Sequence, residues 1–232
     1  MKLKAINLAI MAALATNAVM AEETSPVTAN IGVTSNYIWR GVTQTQNDPA
    51  IQGGVDFAHE SGFSLGTWLS NVDFGTDNPN YELDIYAGYE EKLGDFSFKL
   101  STGYYLYPDG KDLDMWDITP SFSWNFLTVG VAYTLYGEAE KPAAFREGDL
   151  YYYGGLTFDL PVNFKLGGTL GYYDFDDLGK EGDYTHWQVS ISKSAGDFGT
   201  FSLNYDQTDG GDGDFIAIED DPQLSVGWKK TF

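Results

Sequence analysis

Residues 81–90 read YELDIYAGYE. Tyr81, Leu83, Ile85, Ala87 and Tyr89 fall on one face of an extended chain, and Glu82, Asp84, Tyr86, Gly88 and Glu90 fall on the other. A period of two marks a β-strand with unlike faces. The open question is which face looks outward. In a soluble protein the apolar face packs into a core. In a membrane barrel it meets lipid, and the carboxylates turn into a wet lumen.

The same alternation recurs along the chain. It runs through 27–39, 51–57, 63–69, 81–90, 96–106 and 116–124, then 127–135, 150–160, 164–172, 185–191, 201–205 and 224–232. That predicts about twelve strands, in a chain where a tilted bilayer-spanning strand needs ~9–11 residues. An even count suits a bacterial single-chain barrel. Pro120 cannot donate to a ladder, so it predicts a bulge or a local gap in its strand.

The links between strands favour the membrane reading. Short ones (59–62, 91–95, 125–126, 161–163, 194–199) alternate with long ones (40–50, 72–80, 107–114, 136–149, 174–183, 206–223). Outer-membrane barrels have this asymmetry, with short periplasmic turns and long external loops, and it puts both termini in the periplasm. Aromatic residues also bracket aliphatic ones on the apolar face. Tyr81 and Tyr89 flank Leu83 and Ile85, Trp116 and Trp124 flank Ile118, and Phe164 and Tyr172 flank Leu166 and Leu170. Two interfacial girdles give that order, whereas a soluble core puts its largest rings in the middle. The expected fold is therefore an all-β transmembrane antiparallel barrel of about twelve strands. A secreted soluble barrel or sandwich is the alternative.

The chain begins with Lys2 and Lys4, an apolar run from Ala5 to Ala15, and Val19-Met20-Ala21. This predicts a signal peptide over 1–21, cleaved after Ala21, and a barrel over 22–232. The apolar run is too short for a spanning helix, which needs ~20 residues. Losing Lys2 and Lys4 takes the formal charge from −21 to −23. So acidic a surface excludes phosphate-directed nucleic-acid binding, which needs clustered Lys and Arg. With no cysteine there is no disulfide framework. The partners expected are outer-membrane lipid and lipopolysaccharide, small solutes and the barrel assembly machinery. The expected state is a monomer with no cofactor.

The stretch 35–74, SNYIWRGVTQTQNDPAIQGGVDFAHESGFSLGTWLSNVDF, carries a Tyr-x-x-Arg-Gly run ending at Gly41. It also holds Asp48-Pro49-Ala50, Gln52-Gly53-Gly54, and the segments Gly66-Thr67-Trp68 and Asn71-Val72-Asp73. It resembles the TorF family, conserved outer-membrane proteins classed with the porins and lacking an established substrate. The resemblance implies a barrel and a channel, and it assigns no residue a role.

Strict alternation turns Arg40, Asp56, Trp68, Glu82, Asp84, Tyr86 and Lys99 into the lumen, together with Tyr105, Asp117, Tyr151, Tyr153, Lys165 and Tyr173. Arg40 is expected near the external mouth. These residues either line a narrow channel or pair across the lumen and plug it. Twelve strands fall between the eight that leave a filled interior and the 16–18 that leave a water channel. Trp228 and Phe232, on an alternating last strand, resemble the signal read by the assembly machinery. Lys230 departs from that pattern, although near an interface its head can snorkel to water.

Two further motifs carry less. Gly62-Phe63-Ser64-Leu65-Gly66 matches the hydrolase elbow, but that elbow needs a strand-to-helix turn and no helix follows here. Neither His59 nor His186 phases onto the lipid face, where a barrel hydrolase would need it. Asp209, Asp212 and Asp214 are weak candidates for a divalent cation, because their spacing departs from the usual calcium loop. The functional expectation is a porin-like channel for small solutes, mildly cation-preferring. A closed structural or adhesive barrel with acidic external loops is the alternative, and a membrane-embedded hydrolase comes third.

Overall fold

The computed structural model describes residues 25–75, 79–210 and 221–232. The expected signal peptide and its cleavage site, and Asp212 and Asp214, lie outside the described residues.

Twelve antiparallel strands close into one barrel. They are β1 (Val27–Thr34), β4 (Ala50–Ala58), β5 (Phe63–Asn71), β6 (Tyr81–Leu93), β7 (Phe96–Leu106) and β8 (Met115–Trp124), followed by β9 (Leu127–Gly137), β10 (Leu150–Leu160), β11 (Phe164–Asp174), β12 (Tyr184–Ser194), β13 (Thr200–Gly210) and β14 (Gln223–Thr231). Each strand pairs with its sequence neighbours around the barrel, and β1 closes it against β14. Ala29 and Phe232 exchange backbone hydrogen bonds at 3.2 and 2.8 Å across that closure. With no open edge, every strand finds a ladder partner on both sides, as lipid requires. Two short strands, β2 (Ile38–Trp39) and β3 (Val42–Thr43), form a separate hairpin.

The faces divide as the alternation predicts. Ile85 is 48% exposed, while Glu82 and Asp84 on the same strand are 2% and 4% exposed. The outward positions carry Ile31, Val55, Leu65, Val129, Leu170, Val189 and Val226, all exposed, with rings such as Trp116, Trp124 and Tyr172 among them. An exposed apolar surface running round every strand belongs against hydrocarbon rather than water. Among the described residues no helix is long and apolar enough to cross a membrane.

Some inward positions are glycine because a ring lies flat on them. A Cβ on Gly66 would run into the ring of Tyr86, its cross-strand partner. Short links such as Gly94-Asp95 and Asn125-Phe126 gather on one rim, and the long links gather on the other.

One strand expectation is met at Pro120, and one changes at the first strand. Pro120 leaves a local gap: Ile118 pairs with Tyr133 and Ser121 with Gly130, with no β9 partner for Thr119 or Pro120 between them. A register shift lies nearby, between Trp116 and Asp117. The first strand stops at Thr34 instead of reaching Trp39. Tyr37 and Trp39, which the alternation over 27–39 puts on the lipid side, are 5% and 8% exposed inside the barrel. The chain leaves the wall because Asn36 anchors a different path. Its amide donates to Asn47 at 2.7 Å and to Gln223 at 3.1 Å, and its carbonyl oxygen accepts from Thr43 at 2.7 Å.

Candidate functional site

The segment 35–49 folds into the long-link half of the lumen as the β2–β3 hairpin. Its two-residue turn is Arg40-Gly41, with φ of 48° and 88°. Positive φ at both turn positions is the tight-hairpin geometry whose twist matches its strands. A Cβ on Gly41 would lie 2.5 Å from the His186 Cβ, so the tip needs glycine for both conformation and room. Both tip carbonyls are fastened to the wall. Tyr184 Oη donates to Arg40 O at 3.0 Å, and Thr208 Oγ1 donates to Gly41 O at 2.8 Å.

The hairpin side chains reach opposite walls. Tyr37 stacks edge-on against Trp68 at 5.3 Å and donates its hydroxyl to Glu82 at 3.2 Å. Tyr107 donates to the other Glu82 oxygen at 3.2 Å. Trp39 packs on Tyr105 at 5.7 Å and on Phe145 at 5.6 Å, the latter reaching in from the loop between β9 and β10. Arg40 crosses to the far side. One guanidinium nitrogen donates to Asp117 Oδ2 at 2.7 Å and another donates to Tyr173 Oη at 3.0 Å. The guanidinium carbon lies 4.2 Å from the Trp39 ring centre and 4.6 Å from that of Tyr151. Thr134 donates to the second Asp117 oxygen at 2.9 Å. Side chains thus fill this half of the lumen.

The predicted inward set lies on the inner wall, apart from Arg40, which enters on the hairpin. Trp68, Tyr105, Tyr151 and Tyr173 are buried around the hairpin. Asp56 accepts from Tyr86 Oη and, at 3.3 Å, from Asn30 Nδ2. Lys165 faces Asp159 at 3.7 Å. Toward the short-link rim the wall becomes small and polar, with Ser64, Gly66, Gly88, Ser121, Gly130, Ser190 and Ser202 at inward positions. Lys99 and Lys229 point inward there, and neither forms an ion pair among the described residues.

The structure adds residues that the sequence reading did not single out. Tyr184, Phe175, Asp149 and Asp206 are each at most 2% exposed in the hairpin-bearing half. Tyr184 and Asp206 sit one position beyond strands read too short, so the alternation extended by one residue would have found them. Asp149 closes the loop before β10. Burial pushes its carboxyl up to about 6, against hydrogen bonds donated by the backbone of Arg146 and Asp176. On the loop between β11 and β12, a hydrogen bond from Lys141 holds the Asp177 carboxyl below its usual range.

The candidate catalytic groups do not assemble. His59 bonds Ser61 at 2.7 Å in an exposed turn, and His186 Nε2 bonds Tyr151 Oη at 2.8 Å in the lumen. Ser64 donates to the Gly88 carbonyl at 3.5 Å, and its strand is followed by another strand. Among the described residues no three His, Cys, Asp or Glu side chains gather to hold a metal ion. Asp209 lies exposed at the end of β13.

Trp228 and Phe232 project from the closing strand at the short-link rim. The Trp228 Nε1 donates to Phe198 O at 2.6 Å, and the Lys230 ammonium lies 5.1 Å from the Phe232 ring centre.

A model of a family described as "Bacterial protein of unknown function (Gcw_chp)" matches residues 20–227. Its description mentions neither the TorF family nor an activity. No curated protein matches in sequence. Among solved structures, the KdgM porin superposes with a TM-score of 0.58 at 10% identity, over 88% of this chain and 98% of that one. A "KdgM porin in complex with disordered oligogalacturonate" superposes at 0.55, with 11% identity over 89% and 98% of the two chains. The NanC porin gives 0.55 at 12% identity, over 88% and 98%. At such identities the likeness is one of fold.

Proposed function

We propose that this chain, which belongs to the Gcw_chp family of bacterial proteins of unknown function, is an outer-membrane porin-like channel for small solutes. The observation that carries the reading is the division of its surface. Apolar side chains face outward round a closed barrel, while the lumen keeps charged, hydroxyl and glycine positions. Part of what obstructs that lumen is a loop hairpin packed between wall side chains, and loops can move where the strands of a closed barrel cannot. The resemblance of residues 35–74 to the TorF family and the superposition on porins support the same reading. Arg40, Asp56, Trp68, Glu82, Asp84, Tyr86, Lys99, Tyr105, Asp117, Tyr151, Tyr153, Lys165 and Tyr173 would line the path. Lipid and lipopolysaccharide would surround the barrel, which would act as a monomer.

The proposed preference is for cations. In the hairpin-bearing half Glu82, Asp84, Asp117 and Asp206 are buried with Arg40 as the one arginine among them. Excess carboxylate concentrates cations by its field. Single-channel recording in a salt gradient tests this reading. The reversal potential should favour cations modestly, and less so in high salt, where screening acts over ~10 Å at 0.1 M. Glu82→Gln with Asp84→Asn should shift it toward zero. An anion-selective reversal potential would remove the cation assignment.

The second reading, a closed structural or adhesive barrel, draws on the burial of Tyr37, Trp39 and Arg40. A barrel that stays silent in planar bilayers while its loops mediate surface binding would favour it.

Orientation and assembly have their own tests. With both termini periplasmic, a tag at Gly110 should be labelled on intact cells and a tag at Gly94 should not. Labelling at Gly94 behind a sealed outer membrane would invert the topology. Deleting Phe232 should leave the chain in the periplasm if the terminal ring is an assembly signal. Normal insertion of the truncated chain would make that residue incidental.

A further inference from the structure

We propose that the pocket holding Arg40 is a recognition site for a guanidinium-bearing solute, and that Arg40 occupies it as a tethered stand-in that keeps the lumen filled. This rests on the channel reading and names the class of solute.

The pocket is built by the barrel wall, and Arg40 is a guest in it. Asp117 on β8, Tyr151 on β10 and Tyr173 on β11 would stand in the wall whether or not the hairpin were docked. Together they offer one carboxylate, one phenol hydroxyl and flat ring faces. A planar fork uses all three at once, donating from two nitrogens while its face lies on a ring. An ammonium is a point charge without that second edge, so the geometry selects guanidinium over a simple amine. Asp117 is 2% exposed and already accepts from Thr134 on its other oxygen, leaving one oxygen aimed at the fork.

A second observation points to a cation beyond Arg40. Asp84 Oδ1 and Asp206 Oδ2 are buried in the same half with no hydrogen-bond partner among the described residues. Neither carboxylate forms an ion pair there, and Arg40 serves only Asp117. Buried carboxylates with free oxygens are costly until a proton or a cation reaches them, and a cationic solute that arrives finds those oxygens open. A guanidinium solute entering from the long-link rim would pass Glu82 and Asp84 before it competes for Asp117. Displacing Arg40 would free the hairpin tip, whose other ties are two hydroxyl-to-carbonyl bonds.

The test uses the full-length barrel carrying Arg40→Ala, with Arg40→Gln as a second vacated form in case the first fails to insert. The probes are millimolar methylguanidinium, its neutral isostere methylurea, and methylammonium. Methylguanidinium should raise the unfolding midpoint of the vacated barrel in detergent and lower its conductance toward that of the wild type. Its apparent affinity should exceed that of methylurea by about tenfold or more, because charge-assisted hydrogen bonds and ring contact are lost with the charge. Methylammonium should fall between them. Adding Asp117→Asn should weaken the response to methylguanidinium by a similar factor. The wild type should respond only at higher concentration, since Arg40 competes from its tether. Equal stabilisation by methylurea, or a response undiminished by Asp117→Asn, would overturn the proposal. Stabilisation by methylguanidinium in a barrel that never conducts would uphold the recognition site and defeat the channel reading instead.

Discussion

Asp117→Ala is expected to undock the lumen hairpin and to cost about 3–5 kcal/mol of docking free energy, the range for removing one partner of a buried ion pair. Arg40 and Asp117 have side chains 8% and 2% exposed, so the guanidinium left behind has little water to replace the carboxylate. Tyr173 remains as an acceptor, but a neutral phenol oxygen does not balance a buried charge. Arg40 sits on a loop, so it escapes by swinging out, and the barrel ladder need not break. The loss should therefore appear as exposure of the hairpin rather than as unfolding of the barrel. Trypsin should cut the folded variant after Arg40 and spare the wild type at that bond. Asp117→Asn should be milder, because the amide oxygen still accepts. Replacing both partners, Arg40→Met with Asp117→Leu, should recover much of the protection, since an apolar pair carries no desolvation penalty. If Asp117→Ala stayed as resistant as the wild type, Tyr184, Thr208 and the stacked rings would be holding the hairpin by themselves.

The second large effect belongs to the outer wall. Ile85→Arg should destabilise the barrel in lipid vesicles by ~2–4 kcal/mol, the cost of a cation on the lipid face near the midplane. Ile85 lies midway between Tyr81 and Tyr89, and its cross-strand neighbours are Thr67 and Tyr104. No inward escape exists, because a one-residue shift of the strand would turn Glu82 and Asp84 toward lipid. The paired inward change, Glu82→Gln with Asp84→Asn, should leave insertion intact, since Gln keeps an oxygen for one of the Tyr37 and Tyr107 hydroxyls and offers its NH2 to the other phenol oxygen. Equilibrium unfolding in vesicles measures both. A harmless Ile85→Arg beside a misfolded inward pair would reverse the two faces and return the chain to a soluble fold.

How far these outcomes could be read from residues alone varies along the chain. The strands 96–106 and 150–160 match their alternation end to end. Others were read short by up to five residues at one end, as for β13, where Gln207, Thr208, Asp209 and Gly210 continue the ladder without an apolar residue to mark it. Alternation reports only where one face is apolar. Near the long-link rim, polar residues stand on both faces and the signal fades although the hydrogen bonds persist.

Residue order alone specified the closed barrel, its strand number and which side chains of the wall face outward. Those follow from a period of two, and each strand carries the period locally, without reference to its neighbours. The state of the lumen depends on the closed three-dimensional arrangement. Tyr37 and Trp39 continue the phase of the first strand, and nothing within residues 27–39 says that they leave the wall. They leave because Asn36 finds Gln223 at the far end of the chain, and because Arg40 finds Asp117 and Tyr173, 77 and 133 residues away. A buried charge must meet its countercharge, and that meeting depends on where the closed barrel sets β8 and β11. Periodicity records which way a side chain points. It carries no information about which residue waits across the lumen.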